Sequence, residues 1–444
     1  MRTRQSRLRV LGPVAILVIG LGGIALADPV PVDTAVQVAV NHLNGTGLAT
    51  LRTTSVLEVF TETEGGTDLY YTVDFDPNGW AIISADDAAY PVIAYSPTGW
   101  YLEENPPPAF VAWMANVKSE LAHAISVRMD PLPKAVEAWD RLDVSTEDFL
   151  AVNVGQYRRS RVRPLVKSTW GQGRTKGRKP WSIHTVFNSY NKYCPWEYTN
   201  ARHTKRCYAP TGCVATAVAQ IMKHHKWPPE TSGDIEGYEV PYDCPEEDCE
   251  GYGWRNVDCS VDNCSYNWSN WSMPLHRYSD EVARLMGHLG VALQMDYECE
   301  GSGANGDDVV HALVQHFQYP LDVSLRYRSS YPDTWTDDLR AELDAGRPLY
   351  YAGKPPDGGF GHAFVCDGYG RRSPDHFHFN WGWDGLFNGY FLLEDLTPSS
   401  YDWTSSQQAV FNIRPPDSAD VWVDDDYQRK QGRLERRDVL RGGR

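Results

Sequence analysis

The sequence predicts an α+β protein: a helix-rich stretch, then a strand-rich stretch, with a smaller α+β unit in front. Three observations predict it. Helical apolar patterns fall between Cys213 and Ala345. Alternating or aromatic strand patterns follow, from Leu349 to Ile413. Between residues 28 and about 130, a short helix, three strands and a second helix are packed into one small segment.

At 444 residues the chain is too long for one ordinary domain, and 42% apolar content is enough to bury real cores. A net charge of -16 excludes most nucleic-acid and anionic-membrane partners. Sixteen Trp and 25 Tyr point to broad aromatic packing or to grooves that grip extended chains.

The N-terminus reads as an export signal. Arg2, Arg4, Arg7 and Arg9 precede an apolar run from Val10 to Leu26, and Ala25-Leu26-Ala27 is a small-x-small cleavage site. Pro13 and several glycines break the run, which argues against a membrane anchor. Residues 1–27 are therefore expected to be a signal peptide. The mature chain is expected to be secreted, extracellular or periplasmic, and monomeric. Export permits disulfides, and nine cysteines leave at least one thiol unpaired in a monomer.

In the leading unit, Asp33 to His42 has a helical pattern. Leu69–Phe75 and Trp80–Ser84 read as strands joined through Asp76-Pro77-Asn78-Gly79, and Pro91–Ser96 as a third. Pro106-Pro107-Pro108 opens a helix to about Arg128. A polar linker is expected next, ending in the Arg-rich run Arg158, Arg159, Arg161 and Arg163, an exposed stretch of the kind proteases cut. The larger unit is expected over 161–416. Its helices are Cys213–Lys226, Ser279–Leu293, Asp307–Phe317 and Thr336–Ala345. Its strands are Leu349–Gly353, Gly361–Tyr369, His376–Trp381, Gly389–Leu393 and Ala409–Ile413. Residues 417–444 have too little apolar content to fold alone.

Tyr208-Ala209-Pro210-Thr211-Gly212 reads as a tight turn feeding the first of those helices, with Cys213 in its first turn. Unpaired N–H groups and the helix dipole favour negative charge there, so a thiol should lose its proton more easily and become a nucleophile. The alternative is a small buried hydrophobe or half of a disulfide. His362, preceded by Gly358, Gly359 and Gly361, sits where a strand begins, and can take the thiol proton and return it to a leaving amine. Asn380, in Asn380-Trp381-Gly382-Trp383, has a side-chain oxygen that can hold an imidazole tautomer, and a neighbouring indole can shield that bond. Gln172, between Gly171 and Gly173, can point an amide at a developing oxyanion. His224 and His225 lie about three helical turns beyond Cys213, roughly 16 Å away, and are rejected as bases. Cys244, Cys249, Cys259 and Cys264 form two C-x4-C pairs; they could bind zinc, but two local disulfides suit an exported chain better. Cys194 and Cys207 could form a clasp ahead of the active-site turn.

Thr211-Gly212-Cys213-Val214-Ala215-Thr216-Ala217, Ala219-Gln220-Ile221-Met222-Lys223, Gly361-His362-Ala363-Phe364-Val365 and Asn380-Trp381-Gly382-Trp383 together resemble streptopain-type secreted cysteine peptidases, bacterial members of the papain-like fold. The resemblance runs from about Pro164 to Pro416. Gly79-Trp80-Ala81-Ile82-Ile83-Ser84-Ala85-Asp86-Asp87 resembles that family's inhibitory propeptide. The resemblance implies Cys213 as nucleophile, His362 as general base and acid, and Gln172 completing the oxyanion hole. Trp381 would flank the histidine, and Asn380 would play a supporting part. Ser302, Gly303 and Gly361 would line the substrate cleft. It implies an inhibitory propeptide over 28–160, protein or peptide substrates, and no cofactor or metal. Two alternatives stand beside a zymogen endopeptidase: a cell-wall amidase or transpeptidase on the same scaffold, and a catalytically silent binding protein. The Cys-rich stretch before Tyr266 and Cys366, read as buried, depart from the family pattern.

Overall fold

The structure is a computed structural model that describes residues 27–46, 55–101, 106–153, 162–175, 187–188, 190–198, 206–231, 239–240, 255–256, 264–270, 279–298, 301–354, 361–370, 376–393 and 407–417. The expected leader up to Leu26, the Arg158–Arg161 run, Cys244, Cys249 and Cys259, and the chain beyond Asp417 lie outside these residues. Among the described residues no helix is long and apolar enough to cross a membrane.

One antiparallel sheet of ten strands runs through the molecule. Its strands are β1 (Ser55–Glu64), β2 (Thr67–Asp76), β3 (Trp80–Ser84), β4 (Val92–Ser96), β5 (Ser324–Tyr327), β6 (Leu349–Gly353), β7 (His362–Tyr369), β8 (His376–Asn380), β9 (Gly389–Leu392) and β10 (Gln408–Phe411). Their spatial order is β1-β2-β3-β4-β9-β8-β7-β6-β10-β5. The leading unit was expected to be separate. Instead β4 pairs with β9 through Tyr95↔Tyr390 and Ala94↔Phe391, so the two sheets are one. The cause is an edge: β9 has no partner of its own on that side, and β4 satisfies its backbone groups.

Among the described residues eight α-helices accompany the sheet: α1 (Val32–Thr46), α2 (Pro108–Val127), α3 (Pro133–Leu142), α4 (Thr146–Asn153), α5 (Cys213–His225), α6 (Asp280–Ala292), α7 (Gly306–His316) and α8 (Trp335–Asp344). Helices α3 and α4 replace most of the expected polar linker. Ala135, Ala138, Trp139 and Leu142 form a buried stripe at helical spacing on α3, and the Trp139 indole donates to Ala89 O at 2.8 Å. The Nδ2 of Asn41 on α1 donates to Leu142 O and Val144 O, tying α3 back to the first helix.

Alternation along β7 builds the two sides of the core. Ala363 and Val365 face α5, in a cluster with Val214, Val218, Leu285 and Leu289. Phe364 and Cys366 face the other way, with Phe110, Met114 and Leu121 of α2 and Trp335 and Leu339 of α8. Cys366 is fully buried, as expected.

Candidate active site

Helix α5 begins at Cys213, and Gly212 precedes it with φ 83°. That left-handed conformation favours glycine. So does the space: a Cβ on Gly212 would lie 2.8 Å from Ser302 O and 2.9 Å from Met295 Sδ. The turn is tied down from both ends. Thr211 N donates to Gln172 O at 2.8 Å, and Thr216 Oγ1 donates to Gly212 O at 2.9 Å.

The Cys213 sulfur is half-buried and accepts a hydrogen bond from the backbone N–H of Ala363 at 3.4 Å. Position 363 follows His362 directly, so helix and sheet bring the two candidate residues together across a sequence gap of about 150. The imidazole is half-buried, and burial pushes its pKa down. Neither side chain hydrogen-bonds to the other, and the His362 ring has no hydrogen-bond partner among the described residues. The expected acidic thiol is corrected here. Burial pushes the Cys213 thiol up, and the N–H groups of Ala363, Val214 and Cys213 itself only partly oppose it.

Gln172 lies at the turn through its backbone, because its carbonyl accepts from Thr211 N and from Thr211 Oγ1. Its side-chain amide has no hydrogen-bond partner among the described residues. Ser302 and Gly303 pair with Tyr297 and Asp296 in a two-residue ladder that packs against Gly212, and the Ser302 Oγ is buried there without a partner. Gly361 is exposed beside Lys354 at the mouth of β7.

Asn380 and Trp381 take other partners. The Asn380 Nδ2 donates to Ser168 O at 2.8 Å and to Gln220 Oε1 at 3.2 Å, and its Oδ1 accepts from Gly382 N. None of these is His362. Trp381 is fully buried, donates to Phe387 O, and packs edge-on or tilted among Phe364, Phe379, Phe391 and the α2 residues Phe110 and Trp113. The indole packs under α2 and makes no ring contact with His362.

Sequence reasoning missed Gln220. Its buried Oε1 accepts from Trp170 N at 3.0 Å as well as from Asn380, joining α5 to the segment that carries Gln172. An uncharged polar residue inside the apolar run of a buried helix was the available signal. Asp367, also fully buried, takes Val166 N on one oxygen and His378 Nδ1 on the other at 2.6 Å. The Cys194 sulfur lies 3.8 Å from the Tyr297 hydroxyl; the Cys207 side chain, expected as its partner in a clasp, lies outside the described residues. Cys264 is a free thiol. Among the described residues no group of three His, Cys, Asp or Glu is placed to hold a metal.

A helix that supplies the sulfur and a sheet that supplies the ring make this a papain-like cysteine peptidase fold. The Peptidase C10 family model matches residues 185–391, and the Spi protease inhibitor model matches residues 27–121. The chain belongs to the Peptidase C10 family, with an inhibitor-type domain ahead of its peptidase domain. It is similar to streptopain of Streptococcus pyogenes, at 27% identity over 78% of this chain and 80% of that protein. It is 30% identical over 77% of its length to the thiol protease/hemagglutinin PrtT of Porphyromonas gingivalis, and spans 36% of that protein's length. A prointerpain A fragment from Prevotella intermedia aligns at TM-score 0.58 and 27% identity, over 81% of this chain and 99% of that one.

Proposed function

We propose that the chain is an exported zymogen of a cysteine endopeptidase: signal peptide 1–27, propeptide 28–160, peptidase domain 161–416 and a tail over 417–444. One observation carries the reading: the Cys213 sulfur rests on the N–H that follows His362. In the mature enzyme the imidazole takes the Cys213 proton, and the thiolate attacks a substrate carbonyl. The oxyanion is held by the Gln172 amide and the Cys213 N–H. The C–N bond breaks, His362 protonates the leaving amine, and a thioester remains. Water, deprotonated by His362, then releases the acid and restores the thiol. Ser302, Gly303 and Gly361 line the cleft that holds the substrate chain. No step needs a metal or cofactor.

The propeptide acts as an intramolecular inhibitor. Its helix α2 lies against β7 and β8, on the face of β7 opposite α5, while the thiol and the imidazole make no hydrogen bond to each other. Release of α2 lets the ring reach the sulfur. The test compares wild type with Cys213→Ala on denatured casein, alongside labelling by an epoxide thiol inhibitor. Wild type should mature, cleave casein and take one label; Cys213→Ala should do none of these. Equal cleavage by both would remove Cys213 from the chemistry. Cleavage of peptidoglycan peptides with casein untouched would make it a cell-wall amidase. Absence of both activities and of labelling would leave a silent binding protein.

A further inference from the structure

The loop after β8 contains a residue that the mechanism above does not use. Asp384 has φ 53°, a left-handed conformation that costs a non-glycine residue about 1 kcal/mol. It stands between Gly382 and Gly385, which also have positive φ. A side chain kept where glycine is favoured points to a role for its carboxylate.

The carboxylate has specific neighbours. Its Oδ1 accepts from the Tyr190 hydroxyl at 2.9 Å, and Tyr190 is buried. Its Oδ2 lies so close to Gly171 that a Cβ there would be 2.8 Å from it. The Gly171 backbone also hydrogen-bonds the Tyr190 hydroxyl. Although Asp384 keeps contact with solvent, loss of water around its carboxylate pushes its pKa up, opposed by the tyrosine hydrogen bond. Around it, Gly382 packs on Thr216 of α5, and Gly385 packs on Thr169. The loop is therefore wedged against the segment 169–172, whose other end is held by Thr211.

We infer that Asp384 and Tyr190 form a clamp that positions the Gly171-Gln172 backbone beside the Cys213 turn, so that the Gln172 amide faces the developing oxyanion. Asp384 is a positioning residue: it acts through Tyr190 and Gly171. The inference rests on the oxyanion role proposed for Gln172. Two hydrogen bonds from Thr211 fix the Gln172 carbonyl, and the Tyr190–Asp384 pair lies against the residue before it. Loss of the pair leaves the peptide plane between 171 and 172 free to tilt, and the amide swings with it.

The test uses two reactions of the same sulfur. Peptide hydrolysis passes through an oxyanion; alkylation by iodoacetamide is a displacement at carbon and does not. Asp384→Ala and Tyr190→Phe in the matured enzyme should each lower kcat about tenfold with little change in KM. The alkylation rate of Cys213 should stay within about twofold. The double variant should be no worse than either single one, because both remove the same clamp. Asp384→Asn, which keeps an acceptor for the tyrosine hydroxyl, should recover most of the loss. Parallel falls in hydrolysis and alkylation would reduce the pair to a folding role and overturn the inference, as would multiplying losses in the double variant. Gln172→Ala separates the two readings. A large kcat loss in Gln172→Ala with none in Asp384→Ala sinks the clamp alone. No loss in Gln172→Ala sinks the oxyanion assignment and the clamp with it.

Discussion

The Trp113 ring of α2 meets the Phe379 ring of β8 edge to face, with centroids 5.1 Å apart. Trp113 also reaches Phe364 and Trp381, so a side chain of the inhibitor-type domain completes the aromatic cluster on one face of β7 and β8. Trp113→Ala removes these contacts from a half-buried position and should cost about 2 kcal/mol of docking energy. In a Cys213→Ala zymogen the substitution should lower the Tm; in the active chain it should speed maturation. Unchanged Tm and maturation rate would mean that α2 is held elsewhere.

In the zymogen Cys213 is expected to be a poor nucleophile at neutral pH. Its pKa is raised, so the reactive thiolate appears only above the ordinary cysteine range. Iodoacetamide should label the zymogen slowly at pH 7 and increasingly fast toward pH 10. The mature enzyme should react in the neutral range once His362 engages the sulfur. A zymogen profile with its midpoint below that of a free thiol would contradict the burial argument.

Much of this was legible in the sequence, for identifiable reasons. Trp80–Ser84 and Leu349–Gly353 were read residue for residue, because short apolar runs there are bounded by turn residues. Strand β1 was not read: Glu58, Thr61, Glu62 and Glu64 line an exposed edge and hide its pattern. Helix α3 was passed over because five of its ten residues are charged or proline, although Trp139 and Leu142 marked its buried stripe. The joining of β4 to β9 is a pairing between residues almost 300 positions apart, which no local period encodes. Cys213 and His362 were singled out from motifs, and the structure brings the Cys213 sulfur to the N–H that follows His362. The partners of Asn380 were not, since an amide in a turn does not announce its acceptor. Asp384 left a faint signal, one acidic residue in an otherwise Gly-Trp-Gly turn.

Asn380 allows a sharp distinction between structure and catalysis. Its amide bonds Ser168, Gln220 and Gly382, all buried. Asn380→Ala takes that partner from Ser168 O and Gly382 N, although Gln220 Oε1 keeps Trp170 N, and should destabilise the peptidase domain by about 2–3 kcal/mol. Enzyme that remains folded should keep the wild-type pH dependence of kcat/KM. A shifted acidic limb with unchanged Tm would instead make Asn380 the partner of the His362 ring.

Asp74 gives the propeptide a pH dependence of predictable sign. It is buried on β2, where its Oδ1 accepts from Tyr101 N at 3.0 Å. Burial pushes its pKa up to about 6, from an ordinary value of 3.8. Between those values the folded chain binds a proton that the unfolded chain has released, so stability falls as pH rises through this window. Above pH 6 the whole penalty of a buried carboxylate is present, on the order of 2–3 kcal/mol. Below about pH 4 it is gone. Asp74→Asn keeps an acceptor for Tyr101 and removes the charge. Thermal unfolding of the Cys213→Ala zymogen should therefore show the variant more stable than its parent at pH 8, with the difference closing by pH 4. A gap that stays constant across that range would place the Asp74 carboxylate in water, contrary to its burial behind Tyr101.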